Sequence, residues 1–72
     1  MVRVEGIRQD ITRDIKVVDL QVSTTDELPT IGENIDGIII AAGSIAQVIQ
    51  SGVYFTLDDD GTWYDSDGNT AD

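Results

Sequence analysis

Between Gly43 and Asp65 the chain alternates apolar and polar positions, and turn-forming residues break the alternation twice. Alternation of this kind is the signature of half-buried β-strands. If Ser51-Gly52 is a two-residue hairpin loop, Gln50 faces Val53, Val48 faces Phe55 and Ala46 faces Leu57. Asp59-Asp60-Gly61 suits a three-residue loop closed by a left-handed glycine, which sets Asp58 opposite Thr62 and Leu57 opposite Trp63. The two loops, chosen independently, place Ala46, Val48, Phe55, Leu57 and Trp63 on one face, the expected core. A second loop one residue shorter or longer would turn Trp63 to the opposite face. That opposite face carries Ile45, Gln47, Ile49, Tyr54, Thr56 and Tyr64, too apolar for a face that meets only water. Either the N-terminal strands cover it, making a small sandwich or barrel, or another chain does.

The same pattern extends upstream with less force. In Lys16 to Val22, Val18, Leu20 and Val22 face one way and Val17, Asp19 and Gln21 the other, which suits a half-buried antiparallel strand. Ser23 to Thr30 is a stop: Ser23 and Asp26 have capping-box spacing, and Leu28 before Pro29 is held out of helical geometry, so one turn of helix is the most it holds. Leu28, the lone apolar side chain of that turn, is expected to plug the core's edge. Ile31 to Gly37 reads as loop, on its two glycines and its Asp-Gly step. Ile38 to Ile40 reads as a short strand, and Ala41-Ala42-Gly43 as a corner. In residues 1–14, Val2 and Val4 alternate as in a strand, while Val4, Ile11, Ile15, Val18 and Val22 also fall at helical spacing. Arg8 interrupts that seam, and the β-branched content favours the extended reading.

The pattern predicts an all-β fold: a small antiparallel meander of about four or five short strands in a compact sandwich or partly open barrel. Its divisions are an extended N-terminal arm (1–14), the β domain (15–65) and an acidic tail (66–72) that has no hydrophobic anchor and is expected to be disordered.

Composition narrows the picture. Seventy-two residues without cysteine make one small domain with neither a disulfide nor a thiolate metal site to staple it. At this size burial barely exceeds an ordering cost of roughly 1.5 kcal/mol per residue, which favours oligomerisation or docking on a larger partner. The net charge is −10, and all four basic residues (Arg3, Arg8, Arg13 and Lys16) precede Val17, beyond which eleven carboxylates stand without a cation. Phosphate binding needs clustered Lys or Arg, so a nucleic-acid partner is not expected. No apolar run is long enough for a membrane helix, and the N-terminus has no signal-like apolar segment, so a cytosolic origin is expected.

No catalytic residue is expected. Histidine and cysteine are absent, which removes the commonest general base and the best nucleophile, and no glycine-rich loop opens a helix to cradle phosphate. No cofactor is expected either. Asp58, Asp60, Asp65 and Asp67 form a hard-oxygen set of the kind that suits Ca²⁺. Their spacing misses the EF-hand pattern, and turn formation with solubilising charge is the plainer reading.

With these features in order, "DELPT", "AAGSIAQVI", "GVYFTL" and "DDDGTWYD" resemble small capsid-associated, head-fibre or decoration-like structural proteins of tailed bacteriophages and prophages. The resemblance spans about residues 15–68 and rests on Leu28-Pro29, Gly43-Ser44, Tyr54 with Leu57, and Gly61 with Trp63. It implies a non-catalytic virion component that docks on the major capsid protein or another virion protein, as a homo-oligomer, found in the host cytoplasm during assembly and afterwards on the particle. The contacts expected are Ile45, Ile49, Tyr54 and Tyr64 on the sheet, with Val2, Val4 and Ile7 on the arm. Two further readings stand beside it. One is an acidic inhibitor that mimics DNA toward a host nucleic-acid-binding enzyme, and the other is a Ca²⁺-dependent adhesin fragment.

Overall fold

The computed structural model describes residues 2–71. It is all-β apart from one short 3₁₀ turn, Thr25–Glu27. Seven strands form one sheet: β1 (Val2–Asp10), β2 (Ile15–Val22), β3 (Asn34–Ile35), β4 (Ile38–Ile40), β5 (Ile45–Val48), β6 (Tyr54–Leu57) and β7 (Trp63–Tyr64).

Strand β2 organises the sheet. β1 pairs antiparallel along one edge, from Val2↔Val22 to Asp10↔Lys16. Of the arm expected at 1–14, residues 2–14 supply an edge strand and its connecting turn, and the strand pattern prevails over the helical spacing. Along the other edge lie β4 (Ile15↔Ile39) and then β5 (Leu20↔Ala46), both parallel to β2. The purely antiparallel expectation is corrected here: the sheet is mixed, with more strands than expected. Parallel partners distant in sequence leave no local turn signal, so alternation alone does not reveal them.

Between β4 and β5, residues 41–44 span only the width of Val17 and Val18. Ser44 fills the resulting gap. It is fully buried, its hydroxyl accepts the Val18 N–H at 3.1 Å, and it donates to the Ala41 carbonyl at 2.7 Å. A buried amide that loses its ladder partner must find another acceptor, and this serine provides it.

The β6–β7 hairpin has the expected register, Leu57↔Trp63, with Gly61 left-handed at φ 85°. The β5–β6 hairpin does not. Ala46 faces Phe55, and the Val48 N–H donates to the Val53 carbonyl, so the register differs by two residues from the expected one. The reason lies in β2. The N–H groups of Ile49 and Gln50 donate to the carbonyls of Val22 and Ser23, which holds both residues on the parallel ladder and opens the loop to four residues, 49–52. A two-residue shift preserves sidedness, and the structure buries Ala46, Val48, Phe55, Leu57 and Trp63 together.

Asp36-Gly37 also exceeds its expected role as loop. Both residues have positive φ (53° and 85°), and they close a tight β3–β4 hairpin with the Asp-Gly turn preferred for that geometry. Over the core, Leu28, Ile35 and Ile38 pack from the central segment. The indole N–H of Trp63 donates to the buried Pro29 carbonyl at 2.7 Å, tying that segment down. After Tyr64 the chain turns back: Asp65 N–H donates to the Asn69 carbonyl, Ala71 N–H to the Trp63 carbonyl, and Ala71 packs against the core, an anchor the sequence reading lacked.

Candidate functional site

The face of the sheet turned away from the core consists of two cross-strand rows set by register. One runs Asp19, Ile45, Thr56, Tyr64 across β2, β5, β6 and β7. The other runs Arg3, Gln21, Gln47, Tyr54 across β1, β2, β5 and β6. Each follows from alternation: neighbours of the buried Leu20, Ala46 and Phe55 must point outward.

Polar contacts brace each row. Arg8 pairs with Asp19 at 2.5 Å and Arg3 with Glu5 at 2.6 Å. The Gln21 amide donates to Gln47 at 3.1 Å, and the Tyr64 hydroxyl to Asp60 at 3.1 Å. The Arg3 hydrogen bond holds the Glu5 carboxyl below its usual range, and Glu5 in turn raises the guanidinium. Asp60 is also held low, first by the Thr62 backbone N–H and then by Tyr64, whose phenol is pushed up by the same carboxylate. A groove of about 410 Å³ runs between the rows, bounded by Glu5, Arg8, Asp19, Ile45, Tyr54 and Thr56. Its charges are paired within the chain, and its aromatic side chain, Tyr54, is 59% exposed.

Ile45, Tyr54 and Tyr64 therefore share one surface, whereas the other expected contacts do not join them. Val2 and Val4 turn inward and pack against the core. They sit opposite Val22 and Leu20, so they share the buried side. Ile7 is half exposed on β1, beyond the first of two register irregularities, and Ile49 projects from the β5–β6 loop. Gln47 was expected on this face, whereas Arg8, Asp19 and Gln21 were not expected at the site. Alternation puts Asp19 and Gln21 on the wet side, but their partners follow only from the parallel pairing with β5 and the fold-back of β1.

Of the four aspartates considered for Ca²⁺, Asp60 and Asp65 accept backbone hydrogen bonds within turns. Asp60 accepts the Thr62 N–H at 2.8 Å, and Asp65 accepts the N–H groups of Asp67 and Asn69 at 2.9 Å each. Among the described residues no three acidic side chains converge to hold a metal. No helix of the structure is long and apolar enough to cross a membrane.

Compared with protein-family models, curated proteins and solved structures, the chain matches none.

Proposed function

We propose that this protein is a non-catalytic structural component of a phage virion, which docks on the capsid through the outward face of its sheet. The observation that carries this reading is the position of Tyr54. It stands more than half exposed beside the partly buried Ile45, on a hydrogen-bonded sheet whose buried core does not include it. A large amphipathic ring on a fixed scaffold suits a protein interface, where aromatic anchors contribute most of the binding energy. The self-paired charges around it favour a partner surface that is mostly uncharged. The resemblance of residues 15–68 to phage head proteins supplies the identity of that partner, and an acidic chain suits high copy number.

The DNA-mimic reading has less support. It calls for carboxylates ranged along one face, whereas Asp58, Asp59, Asp65 and Asp67 occupy hairpin tips and turns. Mass spectrometry of purified particles tests the proposal. Stoichiometric amounts of the chain on the particle are expected, and its absence or presence only in traces overturns it.

A further inference from the structure

A second cavity, of about 440 Å³, lies outside the sheet face, where three segments meet. The 3₁₀ turn contributes Thr25 and Asp26 and is followed by Leu28, the β6–β7 hairpin contributes Thr62 and Trp63, and the returning chain contributes Thr70. The volume is within the usual range of ligand sites. Its lining divides by chemistry: Leu28, Trp63 and Ala71 are apolar, three threonines carry hydroxyls, and Asp26 is the only charged lining residue among the described residues. Among the described residues no cation lines it, and from Val17 onward the sequence has no Lys or Arg. Asp26 is exposed, and among the described residues it has neither an ion pair nor a side-chain hydrogen bond. This contrasts with the groove on the sheet, whose carboxylates are already engaged by Arg3 and Arg8.

We infer that this cavity takes a primary ammonium group on a short apolar stem, the chemistry of a lysine side chain. An ammonium is a compact charge with three donors. One carboxylate and several hydroxyl acceptors match it better than they match a planar guanidinium, which favours a bidentate carboxylate. The methylene stem of such a ligand would lie along Leu28 and Trp63, as lysine stems do on apolar surface. The inference stands apart from the capsid reading, since it uses neither the sheet face nor a virion partner.

Trp63 is the only tryptophan in the chain, so its emission provides a local readout, with titration calorimetry as the second. The probes are Nα-acetyl-lysine methylamide, the same compound acetylated on Nε, and n-butylammonium. Saturable binding of the first is expected, with loss of binding on Nε-acetylation and a weakening of about tenfold or more in Asp26→Asn. Comparable binding of n-butylammonium assigns the site to free amines, and preference for the lysine amide assigns it to a protein lysine. The inference is overturned if neither amine produces a saturable signal by either method, if the Nε-acetylated compound binds equally well, or if folded Asp26→Asn, checked by circular dichroism, binds unchanged.

Discussion

The indole nitrogen of Trp63 and the carbonyl of Pro29, thirty-four positions apart in sequence, are joined by a 2.7 Å hydrogen bond inside the protein. This bond fastens the central segment to the last hairpin. Phenylalanine at position 63 keeps most of the apolar contact and removes the donor, leaving a buried carbonyl unpaired. Trp63→Phe is expected to lower unfolding stability by about 1–3 kcal/mol, read from urea denaturation followed by circular dichroism. An unchanged midpoint would mean that water replaces the indole.

Ser44 offers a sharper case, because its hydroxyl both accepts from Val18 and donates to Ala41 in a fully buried setting. Ser44→Ala strands the Val18 amide and leaves the Ala41 carbonyl only the longer 3.3 Å bond from the backbone N–H of residue 44, at an expected cost of about 1–3 kcal/mol. Ser44→Thr retains the hydroxyl but adds a methyl to a packed site, so it tests the role of volume. A loss in the alanine variant below the error of the urea midpoint would contradict the bridging role.

Two hairpin glycines separate backbone strain from crowding. Gly61 and Gly52 are both left-handed (φ 85° and 75°), but a Cβ on Gly61 would lie 3.2 Å from the Ile31 methyl, while one on Gly52 meets nothing within 4 Å. Alanine at either position incurs the left-handed penalty of about 1–2 kcal/mol. Gly61→Ala is expected to cost more than Gly52→Ala, as measured by the difference in denaturant midpoint.

The Asp60 carboxyl lies below its ordinary range, because the folded hairpin donates hydrogen bonds to its charged form. Its contribution is therefore fully present above the unfolded carboxyl value of about 4, and is lost as pH falls through the lower folded value. Tyr64 has the opposite sense: its raised phenol contributes below the ordinary tyrosine value and loses that contribution as pH rises through the folded one. In Asp60→Asn the acid-side part of the stability profile should flatten, and the Tyr64 titration followed by ultraviolet absorbance should move back toward normal.

Tyr54, by contrast, is expendable for folding. Tyr54→Ser should leave stability within about 0.5 kcal/mol of the parent, since surface changes away from special contacts are near neutral. The same change is expected to reduce retention on purified particles, as scored by quantitative mass spectrometry.

The parts of this fold that were legible in the sequence are those encoded locally. The pairing of Leu57 with Trp63 follows from a three-residue loop ending in Gly61, and the inward set around Phe55 follows from alternation alone. The Asp36-Gly37 hairpin was also within reach, since its dipeptide is the preferred one for such turns, but the two-residue β3 is too short for a periodic signal. The β5–β6 register could not be read locally, because it is set by Val22 and Ser23, which capture the amides of Ile49 and Gln50. The candidate site divides the same way. Tyr54, Tyr64 and Ile45 fall out of the alternation, whereas the Arg8–Asp19 and Gln21–Gln47 links depend on which strands β2 chooses as neighbours.

The seam between β2 and β5 also determines the order in which the chain can fold. β1 with β2, and β5 with β6 and β7, are each closed by short turns, and such local contacts form early. Gln21 and Gln47 meet across a separation of 26 residues, so the loop entropy of joining the halves must be met before their contacts give any return. During synthesis the Asp19–Val22 part of that edge of β2 has no partner until Val48 has emerged, and the amide of Val18 waits for Ser44. The serine that fills the gap between β4 and β5 is thus also the latch at which the second half of the sheet begins to close on the first.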